Sequence, residues 1–336
     1  MKSWLVGAAL VVAMLAFGVG VYHAAGYLRG DKPVVHRPTE ITASPLPGTI
    51  YLTQGGAVYR FQRGSFRQIT SEDGWTQPAA APGGQLIVVR RGVNYSDLYL
   101  LSTSGRVVAQ LTHNSAPGPA ENNHWAFYPR VSPDGQTLFF DYDPKDPYNT
   151  YRVDLAIFAS RIGPGAGAVD WTRPNDFTGG DVNPVPLKGG DLVYTKYSID
   201  EQSQVHSQIW IQRRAGSAGI ALTTPELGCS QPAVSPDEKS IAMICNKGSN
   251  QSAELDVASF DPATRTLGPP ATLVSGQLVA SPTFSPDGKT IAFLAPLTQG
   301  GGFQLWTMQP GSAKSVRDIT ADLGLDSTSA PVWLAG

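Results

Sequence analysis

The sequence predicts an all-β fold, a six-bladed β-propeller of four-stranded blades, preceded by one N-terminal transmembrane helix. Three observations support this prediction. A proline-led segment recurs about every fifty residues along most of the chain. The 336 residues include 36 glycines and 27 prolines, a supply of turn residues that argues against a helical bundle. The chain also begins with an uncharged stretch long enough to span a membrane.

The uncharged stretch runs from Trp4 to Tyr22. As an α-helix it would be about 28 Å long, close to the thickness of the hydrocarbon core of a bilayer. An uncleaved anchor fits this length, whereas a cleaved signal peptide would have to use a poor site at Gly18 and Gly20. Basic residues flank both sides, so the positive-inside rule is ambiguous. We expect a membrane anchor, or a signal peptide, over residues 1–29.

Residues 30–48 contain Pro33, Pro38, Pro45 and Pro47 and have no apolar periodicity. Such a composition predicts an extended, semi-stiff linker. The propeller is then expected over residues 49–336, outside the cytoplasm, as a periplasmic or cell-surface domain.

The repeat is clearest in three copies, at residues 129–135, 232–238 and 282–288, which read Pro-x-[Val/Phe]-Ser-Pro-Asp-Gly except that Glu238 replaces the glycine. Ser-Pro-Asp-Gly suits a tight turn, because proline presets φ, aspartate bonds the backbone and glycine accepts a positive φ. A strand-like apolar run follows each copy. Counting weaker copies, the first prolines of the repeat are Pro78, Pro129, Pro184, Pro232, Pro282 and Pro331.

Each period holds four short strand-like segments, which is typical of a propeller blade. A residue without an N–H group can lie on the edge of a sheet, so the proline marks the innermost strand, whose free edge faces the central channel. The first period lacks an innermost strand, and the last copy, at residues 331–333, has nothing after it. We therefore expect the C-terminal strand to pair with residues 49–52 and close the ring.

The pattern Pro-x-[Val/Phe/Trp]-Ser-Pro-Asp-Gly resembles the TolB-like β-propeller repeat family over residues 49–333. The resemblance implies an extracytoplasmic binding or scaffold module, since the family includes periplasmic interaction subunits and propellers attached to peptidase domains. Its motif consists of turn and core residues, so it implies no catalytic residue. The chain departs from TolB itself in lacking an amino-terminal mixed α/β domain, so no specific partner is implied.

Several kinds of chemistry are disfavoured. A net charge of −2 offers no concentrated positive face for nucleic acid. There is no Gly-x-Ser-x-Gly nucleophile elbow. Asp141, Asp143 and Asp146 could offer oxygen ligands to Ca²⁺, but Pro144 and Lys145 interrupt them, and a solvated loop is the favoured interpretation. We expect no cofactor, no metal and no catalytic residue; the alternative is a channel-mouth enzyme such as a polysaccharide lyase or glycosidase.

The segment 121–128 is the best candidate for binding. It joins the fourth strand of one blade to the first strand of the next, and such connections lie where the channel opens. Aromatic and amide side chains there can anchor a protein or glycan ligand, although Trp125 and Phe127 could instead pack between blades. The predicted partner-binding residues are Trp75, Asn123, His124, Tyr128 and Asn183.

Cys229 and Cys245 are predicted to form a disulfide. Each lies eight residues from Asp237, the centre of the predicted hairpin turn. They should therefore face each other across an antiparallel ladder, with Cβ atoms about 4.5–5.5 Å apart. Two buried thiols are the alternative. The bond would require an oxidising compartment, in agreement with the predicted location.

Overall fold

The structure, a computed structural model, describes residues 46–144, 155–174, 180–247 and 253–336. Six antiparallel sheets follow one another along these residues, and within each sheet the strands lie side by side in a continuous order. The predicted six-bladed propeller of four-stranded blades is confirmed. The predicted anchor over 1–29 and most of the predicted linker lie outside the described residues. No helix within the described ranges is long and apolar enough to cross a membrane.

Blade 1 holds the N-terminal end of the described chain, and blades 2 and 3 follow it along the sequence. Blade 1 contains β1 (Thr49–Gln54), β2 (Ala57–Gln62) and β3 (Ser65–Gln68). Blade 2 contains β4 (Trp75–Ala80), β5 (Leu86–Arg91), β6 (Ser96–Leu101) and β7 (Val107–Gln110). Blade 3 contains β8 (Ala126–Val131), β9 (Thr137–Tyr142), β10 (Ala156–Arg161) and β11 (Val169–Asp170).

The other three blades follow the same order. Blade 4 contains β12 (Asp181–Pro186), β13 (Leu192–Ile199), β14 (Val205–Gln212) and β15 (Ile220–Ala221). Blade 5 contains β16 (Cys229–Val234), β17 (Ser240–Cys245), β18 (Glu254–Asp261), β19 (Thr266–Leu267) and β20 (Ala271–Val274). Blade 6 contains β21 (Ala280–Phe284), β22 (Ile291–Pro296), β23 (Phe303–Gln309) and β24 (Ser312–Asp318). The connections include short 3₁₀ turns at Pro82–Gly84, Ala120–Asn122 and Pro225–Leu227.

The last strand, β25 (Val332–Leu334), closes the ring. It pairs antiparallel with β1, so that Trp333 lies opposite Ile50. The indole N–H of Trp333 donates a hydrogen bond of 2.7 Å to the carbonyl of Pro47. The predicted closure of blade 1 by the C-terminal strand is therefore confirmed, and no sheet edge is left at the seam.

Blade 5 departs from the simple pattern at its outer edge. Two short strands, β19 and β20, both pair with β18, where the other blades have one fourth strand. Pro269 and Pro270 separate the two segments. Neither proline can donate a ladder hydrogen bond, so the fourth strand is interrupted there.

The repeat prolines lie in innermost strands, as predicted. Pro78, Pro129, Pro184, Pro232 and Pro282 belong to β4, β8, β12, β16 and β21. In each of these strands the pairing with the second strand shifts register around the proline. The shift is a β-bulge, a place where a residue without a ladder hydrogen bond is tolerated.

Side-chain oxygens organise the connections at both ends of the blades. In the turn after β8, the backbone N–H of Thr137 donates to Ser132 Oγ at 2.9 Å, and Gly135 adopts φ 75°. The turns that begin at Ser235 and Ser285 repeat this arrangement. Five threonines that follow the fourth strands accept a backbone N–H from the third strand at 2.9 or 3.0 Å: Thr70, Thr112, Thr172, Thr223 and Thr320.

The hydrophobic core consists of six clusters, and each cluster lies between two neighbouring blades. Strand β5 shows how alternation produces them. Leu86 and Val88 pack toward blade 1, whereas Ile87 and Val89 pack toward blade 3. Successive side chains of a strand point to opposite faces, so every blade contributes to two clusters and is buried on both sides.

Cys229 and Cys245 form a disulfide, which confirms the predicted pair. The two residues lie directly opposite in the β16–β17 ladder, although Val234 pairs with Ile241 next to the turn. The turn is therefore centred between Asp237 and Glu238, half a residue beyond the predicted centre. The bulge at Gln231 and Pro232 shifts the register back, so the cysteines meet as predicted.

We expect Trp333→Ala to lower the free energy of unfolding by about 3–5 kcal/mol, because it removes a large buried side chain at the seam. Urea unfolding followed by fluorescence measures the change. Val93→Ala is the matched control: Val93 is 92% exposed, and its replacement should change stability by less than about 0.5 kcal/mol. A Trp333→Ala variant as stable as the control would contradict closure by β25.

We also expect protein purified from its native compartment without reductant to carry the Cys229–Cys245 bond. Alkylation under denaturing conditions should label neither cysteine before reduction and both after it, as read by intact mass. Replacing both cysteines by alanine should lower stability by at most about 3 kcal/mol, because the bond closes a short local loop. Two labelled cysteines in the non-reduced sample would contradict an oxidising location.

Candidate functional site

The two faces of the propeller carry different connections. Strands of a blade alternate in direction, so the hairpins between second and third strands lie on the same face as the links between blades. We call this the mouth face; it includes the segment 111–125. The opposite, turn face carries the first-to-second turns, such as residues 132–136, and the third-to-fourth turns. β1 begins at the turn face and β25 ends there.

Five residues around the channel share an unusual backbone conformation. Each directly precedes a repeat proline and has a positive φ between 47° and 57°. We call these residues the channel belt: Gln77, Tyr128, Asn183, Gln231 and Ser281. For residues other than glycine the left-handed region costs about 1 kcal/mol or more, so other contacts must hold all five in place.

Hydrogen bonds from neighbouring connections and blades hold the belt. The backbone N–H of Tyr128 donates to Gln77 Oε1 at 2.8 Å, and that of Ser281 donates to Gln231 Oε1 at 2.6 Å. Gln77 N–H itself donates to Ser329 Oγ at 3.0 Å. Two belt residues, Gln77 and Gln231, therefore form hydrogen bonds with both their backbone N–H and their side chain. Glycine has no side chain to do this, which explains why it does not occupy these positions.

Second-strand side chains supply the other two acceptors. Asn183 N–H donates to Asp141 Oδ2 at 3.2 Å, and Gln231 N–H donates to Thr195 Oγ1 at 3.0 Å. Asp141 lies in blade 3 and Thr195 in blade 4, so each bond reaches the next blade along the chain. The belt links successive blades around the channel.

Two of the predicted binding residues belong to this belt and line the central channel. Tyr128 and Asn183 border a cavity together with Arg130, Gln231 and Ser281. Burial raises the pKa of the Tyr128 hydroxyl, and the negative charge of Asp141 raises it further. Tyr128 is therefore a neutral hydrogen-bonding group inside the channel, and its binding role stays a prediction.

His124 lies where two mouth-face loops meet. Its Nδ1 is 2.8 Å from the carbonyl oxygen of Asp143, and its ring stacks on Tyr142 with ring centroids 5.2 Å apart. Asn123 is buried, and its Oδ1 accepts the backbone N–H of Ala116 at 2.7 Å. Asn123 thus shapes the loop from within, whereas His124 is half-buried at the surface.

Trp75 is placed in the core. Its side chain is 5% exposed and packs in the cluster between blades 1 and 2. Its ring meets Tyr99 edge-on at 5.3 Å, and the Arg90 guanidinium lies 5.5 Å from its centroid. The structure therefore does not bring Trp75 together with Tyr128 and Asn183. Contact with a partner stays a prediction for Trp75, and its burial does not favour that contact.

The sequence left open whether Trp125 and Phe127 pack between blades or contact a ligand, and the structure places the two residues differently. Phe127 packs against the cluster between blades 2 and 3. Trp125 is half-buried, stacks on Phe127 at 5.7 Å, and lies under the Arg91 guanidinium.

The acidic loop is not solvated at its start, which corrects the sequence-based interpretation. Asp141 and Asp143 are both buried, because β9 continues through Tyr142. Burial raises the pKa of Asp141 well above that of an ordinary aspartate, although the Asn183 N–H and the Arg130 charge lower it. Asp146 lies outside the described residues. Among the residues that the structure describes, no three His, Cys, Asp or Glu side chains are grouped as metal ligands.

The two faces differ in charge. Exposed cations of the mouth face are engaged: Arg90 and Arg91 lie over tryptophan rings, Arg173 pairs with Asp170, and Lys247 pairs with Glu254. The exposed acidic residues of this face are Glu72, Asp73, Glu201, Glu226 and Asp322. Among the described connections of the mouth face, acidic groups outnumber basic ones, so this part of the face has an excess of negative charge.

The turn face has the opposite balance. Its exposed aspartates at positions 134, 237 and 287 each accept a hydrogen bond from the serine that begins their own turn, and Asp261 accepts the Ala263 N–H. The exposed basic residues of the described turns on this face are more numerous: Arg63, Arg106, Lys188, Arg213, Arg214, Lys239 and Lys289. A single net charge for the whole chain conceals this polarity, so composition alone does not predict it.

The mouth face also exposes aliphatic side chains at several blades. Val93 is 92% exposed and Val205 is 58% exposed. The other large aliphatic residues exposed on this face are Ile199, Leu278 and Leu297. Exposed aliphatic groups next to unpaired acidic groups are suited to contact with another protein.

The belt contacts are the main site feature that sequence reasoning missed. Their signal is a polar residue or tyrosine directly before each of the first five repeat prolines. The residue before a proline normally adopts an extended conformation, so this signal does not by itself predict a left-handed backbone.

Gln77→Met keeps the volume of the side chain but removes the acceptor for the Tyr128 N–H. We expect a loss of about 1–3 kcal/mol in the free energy of unfolding, since a buried donor is left unpaired. Gln136→Met is the matched control, because Gln136 is exposed on a turn. Urea unfolding measures both; equal stabilities of the two variants would show that the belt contributes nothing.

The fold of this chain is similar to that of several solved structures. No family model matches it, and no curated protein gives a match. TolB from Acinetobacter baumannii has a TM-score of 0.63 at 16% identity, covering 90% of this chain and 69% of that chain. A putative TolB from Agrobacterium tumefaciens has a TM-score of 0.58 at 15% identity, covering 85% and 93%.

An oligogalacturonate lyase in complex with manganese is also similar, with a TM-score of 0.51 at 12% identity, covering 88% of this chain and 85% of that chain. Identities this low show similarity of fold and do not transfer activity. The protein therefore has a six-bladed β-propeller fold that is similar to the fold of TolB proteins.

Proposed function

We propose that the protein is a membrane-anchored, extracytoplasmic propeller that binds a protein partner on its mouth face and acts as a non-catalytic scaffold. The observation that carries the proposal is the chemistry of that face, where unpaired acidic groups stand beside exposed aliphatic ones. A partner that fits it presents lysine or arginine side chains around an apolar centre. The fold similarity to TolB proteins is consistent with protein binding.

Two further observations support the location and orientation. The Cys229–Cys245 disulfide favours an oxidising compartment. The described chain enters blade 1 at Thr49, on the turn face. The mouth face, where we propose the partner binds, lies at the opposite end of the blades from this point of entry.

A channel-mouth enzyme, such as a polysaccharide lyase or glycosidase, is the alternative. The fold similarity to an oligogalacturonate lyase keeps it under consideration. The proposal rests instead on the breadth of the mouth face, since its exposed acidic and aliphatic groups, counted over the described residues, are distributed over several blades.

The test uses the full-length protein in its own envelope membranes. A carbodiimide joins carboxylates directly to amines, so it should cross-link Glu72, Glu201 or Glu226 to lysines of the partner. Mass spectrometry identifies the linked peptides. Changing these three residues to glutamine should lower recovery of the partner about tenfold, because three attractive charges are lost. Added salt should have a similar effect.

The matched control changes Arg63, Arg106 and Arg213 to glutamine on the turn face. This variant should recover the partner as well as the wild type does. Cross-links confined to turn-face residues, or equal recovery by both variants, would contradict the mouth-face site. Material that is retained on the protein but destroyed by glycosidases would identify a glycan ligand instead.

A further inference from the structure

Among the described residues that line the channel cavity, one is an arginine, Arg130. It is the fifth residue of β8 and borders the channel cavity with Tyr128, Asn183 and Val185. The corresponding residues of the other repeat-proline strands carry no charge: Ala79, Val185, Ala233 and Thr283. Arg130 is therefore the one charged side chain among the residues that line this cavity, and its neighbours there are neutral polar and apolar groups.

No carboxylate of the described residues lies within 4.0 Å of this guanidinium, since none forms a salt bridge with it. Its one hydrogen bond there, of 3.2 Å, goes to the carbonyl of the adjacent Pro129. Burial lowers the pKa of Arg130, yet an arginine stays protonated at physiological pH. Charges withdrawn from water are normally paired with an opposite charge. The remaining guanidinium donors of Arg130 have no such anionic acceptor among the described residues.

Asp141 does not fill this role. It is fully buried and uses Oδ2 to accept the Asn183 N–H, while Oδ1 has no hydrogen-bond partner. Asp141 forms no salt bridge with Arg130, so it leaves the guanidinium fork open to the cavity.

We propose that the channel is a binding site for a small carboxylate, held by the Arg130 guanidinium with Tyr128 and Asn183 beside it. This site is separate from the protein-binding site on the mouth face and does not depend on it. A carboxylate accepts two parallel hydrogen bonds from the guanidinium fork. Val185 and Ala330 line the same cavity and would receive a short apolar tail.

The charge of the turn face supports the same ligand. β8 runs from the mouth face to the turn face, so its fifth residue lies nearer the latter. The exposed basic residues of that face raise the local concentration of anions. Phosphate fits less well, because it carries more charge and lacks the apolar part that this cavity could contact.

Acetate serves as the probe, and the full-length protein in detergent as the sample. We expect sodium acetate to raise the melting temperature beyond the effect of equal sodium chloride, because a ligand that binds only the folded protein stabilises it. Titration calorimetry should give a dissociation constant. Arg130→Gln should weaken acetate binding at least about tenfold, and Arg130→Lys, which keeps the charge but loses the fork, by less.

Arg67→Gln, which removes an exposed charge from β3 rather than from the turn face, is the matched control and should leave acetate binding unchanged. If Arg130→Gln does not fold, Arg130→Lys and Tyr128→Phe still test the site, since each should weaken binding in the folded protein. Equal stabilisation by acetate and chloride, or acetate binding that survives Arg130→Gln, would overturn the proposal. Partner recovery on the mouth face is measured separately, so failure of one proposal does not imply failure of the other.

Discussion

The propeller depends on one constraint, the left-handed backbone that precedes each of the first five repeat prolines. A proline in an innermost strand forces a bulge, and the bulge turns the preceding N–H out of its own ladder. In this protein a side chain from a neighbouring blade or connection accepts that N–H, as Gln77 does for Tyr128. The side chain that accepts the free N–H at the channel edge of one blade thus also fixes the position of that blade against its neighbour. Repetition and ring closure are therefore coupled through five hydrogen bonds rather than through apolar packing alone.

Apolar packing accounts for the remaining order. Each blade presents alternate side chains to the blades on either side, so none has an independent core. Folding of one blade therefore requires its neighbours, and the first blade requires the last. Side chains that are not needed for packing between blades lie on the two faces and in the channel. The faces are mostly loops and turns, which can carry opposite charge without disturbing the core.

Much of the fold was predictable because its signals are local and repeated. The prolines, the Ser-Pro-Asp-Gly turns and the incomplete first period predicted six blades and closure by the C-terminal strand. The disulfide was predicted by counting residues outward from the centre of the hairpin turn. The predicted pair was correct because the bulge at Gln231 and Pro232 offset an error of half a residue in the turn centre. The site was less predictable. An aromatic residue at the start of an innermost strand can face the channel or the next blade, and register alone decides between them. Tyr128 faces the channel, whereas Trp75 faces the preceding blade. The composition of the segment that contains Asp141 predicted a solvated loop, yet β9 continues through Tyr142 and buries Asp141.

The seam between the first and last strands has a mechanical consequence. Residue 48 lies directly against the end of β25, where the Leu334 carbonyl oxygen fills the position that a Cβ on Gly48 would take. A force that pulled the start of β1 along its own axis would act parallel to its neighbours β25 and β2. The hydrogen bonds on both sides of β1 would then be sheared together instead of being opened one after another. A first strand held on both sides in this way resists tension far better than a strand peeled from an open edge.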